Sequence, residues 1–175
     1  TSSWSETSGG AGGATVPAAA NDVVFDENSG SQTITVTTIS GTVTIKSLTL
    51  KDNVSVTLIA SAAGTILNLN VGSATTAFTL ENGSSLILGS SNTFTLRSLT
   101  TASQIWDISG VVEVNTNNTF APSNITTTLA TVSSTGILNH IGGTITGNAT
   151  NFVFQSGATY NYLGTGALTI PTANW

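Results

Sequence analysis

The chain has 175 residues, of which only three are basic and eight are acidic, and its net charge is -5. Three basic side chains cannot form a surface that follows nucleic-acid phosphates, so we expect no nucleic-acid partner. The absence of cysteine excludes disulfides and cysteine-bound zinc, and no apolar run approaches the roughly 18 residues of a membrane helix, so we expect no membrane insertion.

Alternation of apolar and polar residues, the pattern of β-strands, recurs along the chain. No stretch sustains the apolar spacing of an amphipathic helix, so we expect no helix. The clearest predicted strands, in chain order, are TITVTTI (33–39), TVTIKSLTL (42–50), VSVTLI (54–59), TILNLNV (65–71), SLILG (85–89), TFTL (93–96) and VVEVN (111–115).

These strands belong to a degenerate repeat of a short apolar strand, a polar turn with Asn or Gly, and a second alternating strand. The first strands begin at residues 23, 48, 78, 105, 129 and 152, which gives spacings of 25, 30, 27, 24 and 23 residues. A third alternating piece follows each pair: TVTIKS, TILNLNV, TFTLRS, NITTTL, TITG and ALTIP. Three strands per roughly 25 residues is the content of one coil of a parallel β-helix.

We therefore predict an all-β fold, a right-handed parallel β-helix (β-solenoid) of about six coils. The alternative is an antiparallel β-sandwich, which uses the same strand and turn signals. In a solenoid, equivalent residues stack about 4.8 Å apart, and a low charge avoids ladders of like charge. The predicted inward rows are Leu50, Leu80, Ile108, Val132 and Phe154 on the first strand, and Val56, Leu86, Val112 or Val114, Leu138 and Tyr160 on the second. The turn glycines Gly83, Gly110, Gly136 and Gly157 are predicted to supply positive φ.

Candidate catalytic residues are few, and we predict that the chain is not an enzyme. Asp107 and Glu113 are the only plausible acid pair within one coil, and the favoured interpretation makes them outward residues of adjacent strands. His140 is the only histidine and is interpreted as a surface or turn residue. Lys51 is expected to form an ion pair with Glu81 in the equivalent turn of the next coil.

A possible calcium site lies in the acidic stretch NDVVFDEN. Asp22, Asp26 and Glu27 offer the hard oxygen ligands that calcium prefers, although the regular spacing of a calcium loop is missing. The other interpretation is a solvated first turn of the solenoid.

Aromatic residues are candidates for a sugar-binding platform. The simpler interpretation places Phe78, Trp106 and Phe152 in an interior aromatic ladder. The platform candidates are Trp4, Trp106, Tyr160, Tyr162 and Trp175.

The N-terminal stretch WSETSGGAGGATVP (4–17), followed by ANDVVFDENS (20–29), resembles the start of repeat units in very large secreted surface proteins of Bacteroidota. The closing PTANW (171–175) is similar to residues that often precede this motif in those units. The resemblance implies an extracellular or cell-surface adhesin, gliding-related protein or filament component, and it carries no catalytic residue.

These observations predict a junction or cap over residues 1–22 and a solenoid body over 23–175. Trp4, Val16 and Pro17 are predicted to cover the open apolar end of the first coil, with Trp175 as an interface residue. We expect a non-enzymatic structural or adhesive module that associates end to end or occurs in tandem copies, with a glycan or cell surface as a further candidate partner. The alternative is a carbohydrate-active β-helix: a polysaccharide lyase, a glycosidase or a phage-fibre depolymerase.

Overall fold

The computed structural model describes residues 4–37, 41–99, 103–122, 127–167 and 169–175. Within these residues the chain contains 17 strands and no helix. The first strand begins at Asp22, so the described residues 4–21 precede the strands. The strands are β1 (Asp22–Phe25), β2 (Gln32–Val36), β3 (Thr42–Ile45), β4 (Ser47–Leu50), β5 (Ser55–Ala60), β6 (Thr65–Leu69), β7 (Thr75–Leu80), β8 (Ser85–Leu88), β9 (Phe94–Ser98), β10 (Gln104–Ile108), β11 (Val111–Val114), β12 (Asn118–Ala121), β13 (Leu129–Val132), β14 (Ile137–His140), β15 (Thr144–Ile145), β16 (Phe152–Phe154) and β17 (Thr159–Tyr162).

The strands form three sheets, and each complete coil contributes one strand to each sheet. The first sheet has the order β1-β4-β7-β10-β13-β16, the second β2-β5-β8-β11-β14-β17, and the third β3-β6-β9-β12-β15. The pairings between these strands are parallel. The described chain is therefore a β-solenoid of five complete coils and a sixth coil of two strands. The predicted parallel β-helix is confirmed and the antiparallel sandwich is wrong, while the right-handed sense stays a prediction.

Two of the predicted third strands are wrong. In the fourth coil the third strand is β12, at Asn118–Ala121, rather than the predicted NITTTL, whose residues 124–126 lie outside the described part of the chain. Asn117 adopts a φ of 68°, which turns the chain immediately before β12. In the sixth coil, the described residues of ALTIP form no strand, and residue 168 lies outside the described residues.

The predicted inward rows are confirmed by the strand register. On the first sheet, Phe25 begins a column that continues through the predicted residues to Phe154. On the second sheet the column runs from Gln32 to Tyr160, with Val112 as the member from the fourth coil. Burial of one such aliphatic side chain contributes about 1.5–3 kcal/mol, so the columns are the main source of stability.

The interior position of Phe78, Trp106 and Phe152 is confirmed, but only the first two stack directly, because Ala130 separates Trp106 from Phe152. Phe78 and Trp106 are fully buried neighbours on the first sheet, with ring centroids 5.1 Å apart. Ala130 is the next residue in this column, and its small side chain leaves room for the indole. Phe120 of the third sheet packs edge-on against Trp106 at 5.5 Å, and the indole Nε1 donates a hydrogen bond to Ser98 Oγ at 3.0 Å. Trp106 is therefore a core residue with its polar atom paired.

The turn glycines serve two different needs. Gly83 and Gly157 have φ of 86° and 95°, as predicted. The prediction is wrong for Gly110 and Gly136, which lie outside the positive-φ region. A Cβ at Gly110 would come closer than 3.0 Å to the carbonyl oxygen of Ser84. A Cβ at Gly136 would likewise come closer than 3.0 Å to the carbonyl oxygen of Ile108. Gly110 and Gly136 are thus required because the backbones of successive coils approach each other closely.

This distinction predicts that Gly110→Ala lowers the free energy of unfolding by about 1–3 kcal/mol, the usual effect of overpacking. Gly72→Ala is the matched control, since no atom lies within 4 Å of a Cβ built there and the residue has no positive φ. Chemical denaturation of both variants measures the difference. A Gly110→Ala variant as stable as the control would contradict the close-approach explanation.

Candidate functional site

The N-terminal end of the solenoid contains an apolar cavity of about 220 Å³. Its walls come from the inward residues of the first two coils and from the segment that precedes β1. None of the described residues that line it is charged, and Trp4, Thr35 and Thr37 are the only ones among them with a polar side-chain atom. The other described lining residues are Val16, Pro17, Val23, Phe25, Ile34, Val36, Val43, Ile45, Leu48, Leu58 and Leu67.

The three predicted capping residues lie at this cavity. The Trp4 ring packs 5.9 Å from that of Phe25 and is half-buried. The Trp4 carbonyl accepts hydrogen bonds from the backbone N–H groups of Gly13 and Ala14, which closes the glycine-rich segment into a loop. Val16, however, is 71% exposed. The cap therefore lies over the end of the core without filling it.

The opposite end carries an aromatic cluster. The Trp175 ring stacks on Phe154 with a centroid distance of 4.4 Å and packs edge-on against Tyr160 at 5.5 Å. Asn174 holds this segment in place, because its backbone exchanges two hydrogen bonds of 2.8 Å with Phe152 and Phe154. Trp175 nevertheless remains 60% exposed, so its outer face is available for contact.

The position of His140 corrects a prediction. His140 was expected in a turn or on the surface, but it is the last residue of β14 and is only 1% exposed. Its Nε2 lies 2.8 Å from the carbonyl oxygen of Gly143, which can only accept, so Nε2 carries a proton. In the neutral ring Nδ1 therefore accepts from the Tyr160 hydroxyl at 2.7 Å. Burial raises the pKa of Tyr160, with a smaller contribution from Tyr162. The histidine is a paired core residue at the C-terminal end.

The predicted calcium ligands are not brought together. Asp22 accepts hydrogen bonds from Lys46 at 2.7 Å and from the Ser47 hydroxyl, and these contacts lower its pKa. Asp26 is turned towards its own loop, where its pKa is lowered by hydrogen bonds from Ser8 and from the backbone that follows it. Glu27 is exposed. Among the described residues there is no group of three acidic or histidine side chains placed to hold a metal ion.

The remaining charged candidates lie on the outer surface. Asp107 and Glu113 are outward residues of β10 and β11, which belong to different sheets, as interpreted from the sequence. The predicted pair between Lys51 and Glu81 is wrong: Lys51 contacts Asp52 at 3.4 Å instead. Asp52 adopts a φ of 60°, and this turn conformation places its carboxylate beside the lysine of its own coil.

The aromatic candidates do not form one sugar-binding platform. Trp106 is fully buried, and Trp4 lies at the opposite end of the solenoid from the remaining three. Tyr160 is partly buried under Trp175, and Tyr162 is 44% exposed. The exposed aromatic surface is therefore concentrated at the C-terminal end.

The sequence indicated the capping residues but not the cavity that they border. Ile34, Val36 and Val43 belong to alternating strands, so their inward direction could be predicted. How completely these side chains are covered depends on the fold of the segment before β1. That segment has no repeating pattern from which its fold could be predicted.

Comparisons of the chain with protein-family models, with curated proteins and with solved structures gave no match. In the described ranges, no helix is long and apolar enough to cross a membrane. The candidate site consists of the two apolar ends of the solenoid.

The pairing of His140 predicts the effect of Tyr160→Phe. The substitution removes the hydroxyl that donates to the buried Nδ1, so the free energy of unfolding should fall by about 1–3 kcal/mol. Tyr162→Phe is the control, because that side chain is exposed and should change stability by less than about 0.5 kcal/mol. Denaturant titration measures both, and equal stability of the two variants would contradict the assigned hydrogen bond.

Proposed function

We propose that the chain is a non-enzymatic, extracellular structural or adhesive module, a rigid β-solenoid unit that associates through its ends. The observation that carries this proposal is the contrast between its long faces and its ends. The faces carry mainly uncharged hydroxyl and amide side chains, with single charged or apolar residues such as Asp107 and Leu129 among them. The N-terminal end, by contrast, has an incompletely covered core, and the C-terminal end exposes a group of apolar side chains.

The outward faces support a structural role because their side chains link successive coils. Ser85 Oγ donates to Ser55 Oγ at 2.7 Å, and Asn161 Nδ2 donates to Asn139 Oδ1 at 2.9 Å. On the third sheet, one outward column consists of Thr42, Ile66, Thr95, Thr119 and Thr144. Hydrogen bonds and packing of this kind between neighbouring coils stiffen a solenoid along its axis. They also offer hydroxyl and amide groups to a glycan or a cell surface.

The ends support association because a solenoid terminates in edge strands. The second sheet ends in β2 on one side and β17 on the other, and the third ends in β3 and β15. Edge strands can pair with further strands unless they are covered. The apolar side chains near the C-terminal end include Tyr162, Leu163, Ile170 and Trp175, which are 44% to 61% exposed.

This proposal predicts that the purified chain forms elongated assemblies as its concentration rises. Sedimentation velocity measures the mass distribution, and negative-stain electron microscopy measures the particle shape. We expect particles that lengthen at constant width. A single monomeric species at every concentration would contradict association through the ends.

The same preparation tests the carbohydrate-active alternative. We expect no release of reducing or unsaturated ends from acidic or neutral polysaccharides. Cleavage by the wild type that is lost in Asp107→Asn would overturn the non-enzymatic proposal.

A further inference from the structure

We propose that the N-terminal cavity of one copy receives the Trp175 indole of a second copy. This inference rests on the proposed association through the ends and names the contact that forms it. The two ends are related through one column of inward side chains, which begins at Phe25 and finishes at Phe154.

One end of that column carries an additional aromatic ring, and the other end borders the N-terminal cavity. Trp175 stacks on Phe154, where the inward residue of a further coil would lie. The cavity borders Phe25 beside the Trp4 ring, at the level where the inward residue of a preceding coil would lie. When a second copy continues the solenoid, these two positions coincide, and one indole occupies both.

The cavity suits an indole in size and in chemistry. Its volume is about 220 Å³, and an apolar cavity of about 150 Å³ is large enough to bind benzene. No described residue that lines it is charged, which favours a neutral ring.

The register of the two ends favours a second copy of this chain over an unrelated aromatic ligand. β2 and β17 are the opposite edge strands of the second sheet, and Gln32 and Tyr160 are the two ends of one column in that sheet. Because Asn174 already pairs with the outer edge of β16, Trp175 fills the level between Phe154 of one copy and Phe25 of the next. β17 and β2 of the next copy then lie two coil spacings apart, in the register found between coils. The contact is therefore carried by the indole.

The first experiment measures self-association of Trp175→Ala by sedimentation. Loss of a central tryptophan anchor weakens an interface by about 30-fold in Kd or more. The control is Leu99→Ala, which removes an apolar side chain that is 40% exposed and follows β9 in the third coil, away from both ends. We expect the control to associate as the wild type does. Wild-type association of Trp175→Ala would overturn the inference and leave the proposed function standing.

The second experiment is independent of polymer formation. A blocked peptide of residues 170–175 is titrated into the full Trp175→Ala chain, and binding is followed by tryptophan fluorescence and by chemical shifts of the cavity methyl groups. We expect binding, and we expect it to be lost when Val43→Phe is added, because the larger ring fills the cavity. Absence of peptide binding to Trp175→Ala, or binding of free indole without binding of the peptide, would overturn the inference. A wild type that stays monomeric would contradict the proposed function instead.

Discussion

The parallel, in-register stacking of successive coils is the constraint on which the rest of this structure depends. Each inward side chain contacts its equivalents in the neighbouring coils, as Leu80 does with Leu50 and Ile108. The same register stacks each outward side chain on its equivalents in the neighbouring coils. A charged residue repeated at one position would therefore face like charges, and hydroxyl and amide groups avoid this repulsion. The register also brings turn backbones together, and for that reason a side chain at Gly110 would clash with the preceding coil.

A stack of coils has two ends, and its apolar columns must finish at both. At one end Trp4 packs on Phe25 and leaves a cavity; at the other Trp175 covers Phe154 and remains exposed. The sides, in contrast, carry mainly polar groups, some of which are hydrogen-bonded from coil to coil. This difference between ends and sides supports the proposed function.

The sequence predicts the inward columns well, because alternation fixes which side chains face inward and the repeat fixes which of them stack. It fails where the structure depends on contacts without a period. The turn at Asn117 starts β12 earlier than the pattern indicates. The burial of His140 depends on Tyr160, which lies 20 residues later and contacts it only after the coils stack. The cavity likewise depends on the non-repeating segment before β1.

The most direct test of coil stacking is a pair of distances measured by pulsed electron paramagnetic resonance. The chain has no cysteine, so cysteines at chosen positions can be labelled uniquely. Val24, Thr131 and Val153 lie in one outward column of the first sheet. From Val24, Thr131 is four coil spacings away and Val153 five, so the Cα separations should be about 19 Å and about 24 Å. Two narrow distributions that differ by about one spacing would agree with the stacked solenoid. Equal distances, or a shorter distance to Val153, would contradict it.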